Sequence, residues 1–245
     1  MERLILPWRS AALSHCGPRH RENEDCCLER PEIGLWAVAD GMGGHADGHV
    51  ASRTLCRALD RIRTASSLVD LAENVEAAVA AANSELLARG ATARPATVIG
   101  TTAAVLMIHG GYALCAWCGD SRVHLVRDRE VFLLTRDHSL VQEMIDRGEI
   151  DHDAARTHRA SHVVNRAVGV APAAELERLA IEVRPGDRFL LCTDGVSRLV
   201  AVAELADLAV DDPDAAVRGI VDLAQARGAT DDVTALAVHV RAAGR

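Results

Sequence analysis

Lysine is absent from this chain: all 27 of its Lys and Arg positions are arginine. That removes Schiff-base chemistry and the phosphate-gripping lysine of a P-loop, and leaves guanidinium forks as the basic groups available to an anion. Aromatic residues are nearly as scarce, at 2%. A base-stacking platform for single-stranded nucleic acid is therefore excluded, and the core has to be assembled from Ala, Val, Leu and Ile. No run reaches the ~18 apolar residues that span a bilayer, and no charged segment leads into a short apolar one of the kind that directs secretion. A net charge of −8 and a pI near 5.7 give no electrostatic footprint for nucleic acid or an anionic membrane. Together these absences lead us to expect a soluble, cytoplasmic protein without a nucleic-acid or membrane partner.

Seven cysteines, an odd number scattered through the chain, point to buried thiols in a reducing compartment rather than a disulfide framework. Cys115 and Cys118 do form a CxxC. They lie in YALCAWC, which reads as a strand, so their side chains face opposite ways and do not make a zinc or redox pair. With 245 residues and 49% hydrophobic content the chain can bury a substantial core, and one domain over residues 1–245 is the expectation.

The stretch around which the rest is organised is LWAVADGMGGHADG, Leu35 to Gly48. An apolar strand ends on Asp40 and passes at once into Gly41, Gly43 and Gly44, where backbone without Cβ atoms can approach a ligand closely. A fixed carboxylate beside exposed carbonyls suits a hard cation such as Mg²⁺ or Mn²⁺. His45 in the same turn is placed either to reach such a site or to cap the bend.

Ahead of it, a first strand is expected around Ala11 to His15, followed by the polar turn GPRHRENED. Behind it, apolar spacing predicts helices over Gly48–Arg63 and Leu68–Ala88, then a loop from Ala91 to Gly100. The pattern then turns to β. Thr101–Ile108 and Tyr112–Cys118 flank a His109-Gly110-Gly111 turn, and Val123–Val126 and Glu130–Leu134 form a further hairpin. Ser139 caps a short helix closed by Gly148. Residues 151–170 have no clean period and read as a mobile surface segment. A strand from Arg188 runs into Asp194-Gly195, helices follow near 203–209 and 213–227, and Val233–Val240 is the last strand. Helices between groups of strands favour an α+β arrangement with mostly antiparallel sheets.

Four times a buried-looking strand begins or ends on an acid flanked by Gly, Asp or Thr: Asp40, Asp120, Asp194 and Asp231. One such acid is turn chemistry. Four in unconnected segments imply a shared cluster, and like charges held together are costly unless a cation compensates them. Two divalent ions about 4 Å apart would do so, and would activate a water for in-line attack on phosphorus.

RENED, VADGMGGHADG, GTTAAVL, CGDSRVHLV, LTRDHS, NRAVG, LLCTDGVSRLV and ATDDVTALAV resemble, in order and spacing, the metal-dependent protein phosphatases of the 2C family in their compact bacterial form, from about Leu13 to Val240. The resemblance implies a four-layer α-β-β-α sandwich with two central antiparallel sheets and a Mg²⁺ or Mn²⁺ pair in a cleft at one end. It implies that Asp40 bridges the two ions, that the Gly41 carbonyl, Asp194 and Asp231 complete their shell, and that Glu24 and Asp25 orient waters. Asp120 with Asp194 resembles the pair that holds a weaker third ion. The implied reaction is hydrolysis of phosphoserine or phosphothreonine on a protein, opposing a bacterial Ser/Thr kinase, by a monomeric enzyme.

One position departs from the family pattern. The slot of the phosphate-binding arginine, three residues before the Asn of the N-E-D motif, holds His20, with Arg19 and Arg21 on either side; any of the three is a candidate for the phosphate. His138 is a candidate proton donor or the fixing residue of its turn. A catalytically weak member acting as a phosphoprotein-binding module, and a hydrolase of small phosphate esters, are the competing readings.

Overall fold

The computed structural model describes residues 8–43, 47–93, 95–210 and 212–241. Its architecture follows from which faces of each strand are apolar. The chain begins with β1 (Trp8–His15), β2 (Asp25–Arg30) and β3 (Leu35–Gly43), then α1 (Gly48–Asp60) and α2 (Leu68–Thr92). Five strands follow: β4 (Ile99–Thr101), β5 (Ala103–His109), β6 (Tyr112–Cys118), β7 (Arg122–Arg127) and β8 (Glu130–Leu133). Two short helices, α3 (Leu140–Asp146) and α4 (His152–Thr157), precede β9 (Glu177–Glu182) and β10 (Arg188–Cys192). The chain closes with α5 (Asp194–Ser197), α6 (Val202–Leu208), α7 (Pro213–Ala226) and β11 (Val233–Val240).

These strands build two antiparallel sheets. One runs β1-β11-β10-β7-β8, the other β2-β3-β5-β6-β9, with β4 paired to the end of β3. β3 shows why the layers stack as they do. Trp36 and Val38 point between the sheets, onto Leu106, Phe189, Leu191 and Leu236, while Leu35, Ala37 and Ala39 point outward under α1 and α2. β11 repeats the scheme, with Leu236, Val238 and Val240 inward and Val233, Ala235 and Ala237 under α7. A strand covered on both faces reads as a continuous apolar run, which is why these two were visible in the sequence. The helix-facing positions are largely alanine, so the helices lie close to the sheets, and a core with few aromatics still packs. The expected α-β-β-α sandwich is what forms.

Cys115 faces the inter-sheet core, and its neighbours Leu114 and Ala116 face the helix layer, so Cys118, with the same parity as Ala116, points away from Cys115 as the strand reading requires. The Gly110-Gly111 turn is a two-residue hairpin loop with both φ positive, 62° and 88°, in the register His109↔Tyr112.

Several boundaries differ from expectation. β2 and β9 were not anticipated: β9 is an edge strand whose residues are mostly exposed, so no hydrophobic alternation marks it. β1 starts earlier, at Trp8, whose indole packs edge-on against Trp36 at 5.4 Å. α2 runs on through Thr92 into the expected loop. Within 151–170 there is a helix, α4, and two bridges tie the segment back, Ser139↔Val164 and Thr101↔Val168. Gly44 and His45 lie outside the described residues.

Candidate metal centre

Strand register brings the first two acids together. Asp25 on β2 stands directly opposite Asp40 on β3, an arrangement of like charges that is unfavourable in itself. Both are held firmly. The Asp40 amide donates to Thr102 Oγ1 (2.9 Å), and its carbonyl accepts from Thr102 N (2.8 Å) and Thr101 Oγ1 (3.0 Å). Asp25 Oδ2 accepts from the hydroxyls of Thr193 (2.8 Å) and Thr234 (2.6 Å), so the other sheet grips it at the ends of β10 and β11. Asn23 Oδ1 accepts from the Asp25 amide (2.9 Å), which gives the Asn of RENED its task.

β10 then delivers Asp194, whose carboxyl comes within hydrogen-bonding reach of Asp40. Asp231 precedes β11, and Asp120 follows the β6 end at Gly119. Gly41 and Gly48 close the site. A Cβ on Gly48 would lie 2.5 Å from Glu24 Oε2 and 2.7 Å from the Gly41 carbonyl oxygen, and one on Gly41 would run into the Gly48 carbonyl. Only glycine at both positions lets the Gly41 carbonyl and the Glu24 carboxylate share that space.

The electrostatics are those of crowded acids. Burial first, then the charges of Asp194, Asp25, Asp120 and Asp231, push the Asp40 pKa far up. Asp25 is raised to about 8 by burial, against the pull of its two threonine hydrogen bonds, and Asp120 to about 7 by burial and Asp194. Asp194 and Glu24 are raised as well, again chiefly by burial. Buried carboxylates crowded on one another, with a single guanidinium, that of Arg198, paired to Asp194, fit a pair of hard divalent ions.

At the rim, His20 Nδ1 lies 2.9 Å from Asp232 Oδ2 and 3.8 Å from Asp231 Oδ1. Burial pulls its pKa down, but the hydrogen bond and charge of Asp232, then Glu24 and Asp231, outweigh it, and the net shift is upward. Arg19 and Arg21 are exposed; of the three candidates, His20 is the one brought to the acids. Asp232 also accepts from the amides of Gly17 and Glu24, both at 2.7 Å, and so pins the whole RENED loop.

A family model described as Protein phosphatase 2C matches residues 16–236. The chain belongs to the protein phosphatase 2C family. It is 33% identical over 244 residues to the serine/threonine protein phosphatase PstP of Mycobacterium tuberculosis, covering 98% of this chain but 46% of that relative, so it spans about half the length of that protein. Among solved structures, PppA, described as a key regulatory component of T6SS in Pseudomonas aeruginosa, is 41% identical with a TM-score of 0.87, over 95% of this chain and 97% of the other. The catalytic domain of PstP in complex with two manganese ions is 32% identical with a TM-score of 0.83, over 96% and 98%.

Within this protein phosphatase 2C chain, Asp25, Asp40, Asp120 and Asp194 gather at one end of the sheets, with Glu24 and Asp231 beside them. His138 is engaged elsewhere. Its Nδ1 accepts from the Gly119 amide (3.1 Å), its Nε2 lies 3.1 Å from Glu177, and its ring stacks on Trp117; it fixes the turn that carries Asp120. Sequence reasoning missed Thr193 and Thr234, although threonine beside the acids was a visible signal, and it missed Asp232 and Arg198. In an Asp-Asp pair opening a strand the two side chains diverge, and nothing in sequence says which one turns inward.

Proposed function

We propose that this chain is a metal-dependent phosphatase of phosphoserine and phosphothreonine on proteins. The observation that carries the reading is the crowding of Asp194, Asp25, Asp120 and Asp231 on the buried Asp40, at a point where groups of both sheets hold the acids. Asp40 would bridge two Mg²⁺ or Mn²⁺ ions, with Gly41, Asp194 and Asp231 as further ligands. When bound, such a pair activates water for in-line attack on phosphorus and offsets the charge of the phosphate.

The remaining work falls to the protein's own groups. Glu24, beside Gly48, and Asp25, fixed by Thr193 and Thr234, orient water in the cleft. His20, its Nδ1 held by Asp232, presents Nε2 to the phosphate in the slot where the family pattern has arginine. His20→Ala is expected to raise KM for a phosphopeptide about tenfold with a smaller change in kcat, and His20→Arg to restore it, because one charged hydrogen bond contributes on the order of 1.5–3 kcal/mol. Steady-state kinetics on the two variants checks this.

The similarity to PstP and PppA supports a phosphoprotein substrate, and with it a Ser/Thr kinase that the enzyme opposes in the cytoplasm. No helix among the described residues is long and apolar enough to cross a membrane. One catalytic domain over residues 1–245, acting as a monomer, completes the reading.

The deciding experiment is phosphate release from a phosphothreonine peptide with Mn²⁺, with EDTA, and for Asp231→Asn in Mn²⁺. Release should require the metal and fall by at least about a hundredfold in the variant. A folded wild-type chain that releases nothing with either Mg²⁺ or Mn²⁺ would overturn the proposal.

A further inference from the structure

The far side of the acid cluster carries a cation of its own. α5 is a single turn, Asp194–Ser197, so Arg198 follows on the face of Asp194, one turn away. Its Nη2 lies 2.5 Å from Asp194 Oδ2, and the same nitrogen reaches the Ser161 carbonyl at 3.4 Å. Asp120, Asp194, Ser161 and Arg198 all line one cavity of about 400 Å³ beside the metal ligands. Of the other two arginines there, Arg122 is committed to Asp137 by two hydrogen bonds of 2.9 and 2.7 Å, and Arg156 is exposed to solvent. Arg198 is thus the counter-charge on the Asp120–Asp194 side.

We infer that the Arg198 guanidinium takes the place of a third divalent ion between Asp194 and Asp120, so that this chain binds two ions where the family resemblance implies room for three. The inference rests on the dinuclear reading above. A third ion on that side would need an oxygen of Asp194 that the guanidinium already holds, and would lie against a fixed positive charge at a distance where like charges repel strongly. Unlike an ion, the guanidinium does not exchange with the medium. By holding the Ser161 carbonyl as well, it ties residues 151–170 to a metal ligand.

The test counts ions rather than turnover. Metal-stripped full-length protein is titrated with Mn²⁺, and the free ion is read by electron paramagnetic resonance, for wild type, Arg198→Ala, Arg198→Gln and Arg198→Lys, each checked for folding by circular dichroism. Wild type and Arg198→Lys should bind two ions. The Ala and Gln variants should gain a third, weaker ion, which Asp120→Asn in the same background removes. Three ions on wild type, or still two on both neutral variants, would overturn the inference. A wild type that binds none would overturn the dinuclear reading instead.

Discussion

Asp40→Asn should abolish turnover and at the same time stabilise the metal-free protein. The two effects have one cause. Asp40 is the acid against which burial and four neighbouring carboxylates all press, so removing its charge relieves repulsion that folding has to bear. One or more kcal/mol of relief shifts the midpoint of a chain of this size by about 2–4 °C per kcal/mol, and an increase of about 5 °C in EDTA is expected. The same carboxylate is the proposed bridge between the ions, and an amide there is a neutral, weaker ligand. Phosphate release should therefore fall by about a thousandfold or more, equivalent to on the order of 4 kcal/mol of barrier. Thermal unfolding in EDTA and a peptide assay in Mn²⁺ read the two sides separately. A variant that is both inactive and less stable than wild type would mean that Asp40 serves the fold, not the metals.

The second large effect is a pH dependence that the metal reverses. In the unfolded chain an aspartate titrates near 3.8, whereas folding raises Asp25 to about 8 and Asp120 to about 7, both chiefly through burial. Between those values the native state keeps protons that the unfolded state has released, so stability falls as pH rises. His20, whose pKa is also raised, acts in the same direction. In EDTA the unfolding midpoint should drop steadily between about pH 4 and about pH 8. With Mn²⁺ the ions replace those protons, and their binding strengthens as pH rises because the ligands must be deprotonated. The midpoint should then rise across the same range. Parallel falling curves with and without Mn²⁺ would show that the acids do not hold the metal.

How far the sequence carried depended on what kind of information each feature needs. β3 and β11 were legible because burial on both faces leaves unbroken apolar runs, and the Asp at one end of each stood out against them. β9 was not, because an exposed edge strand carries no pattern. The pairing of Asp25 with Asp40 depends on strand register, which the N-E-D motif alone does not contain. Asp232 escaped notice because two adjacent acids look alike until the strand decides which turns inward. Arg198 depended on a one-turn helix too short to leave a periodic signal, and its role appeared only once Asp194, Asp120 and Ser161 were placed around it.

The grip of the two threonines on Asp25 has a consequence for motion. Thr193 and Thr234 belong to one sheet and Asp25 to the other, so the acid cluster is the clasp that joins the two sheets at this end. Asp40 on β3 and Thr234 on β11 stand on interior strands, which open only when the whole domain does. The end that carries the acid cluster therefore has no low-energy local opening, and hydrogen exchange there should track global unfolding. Control of the proposed activity has to act on what enters the cleft, through the 151–170 segment or a bound partner, rather than by loosening the centre itself.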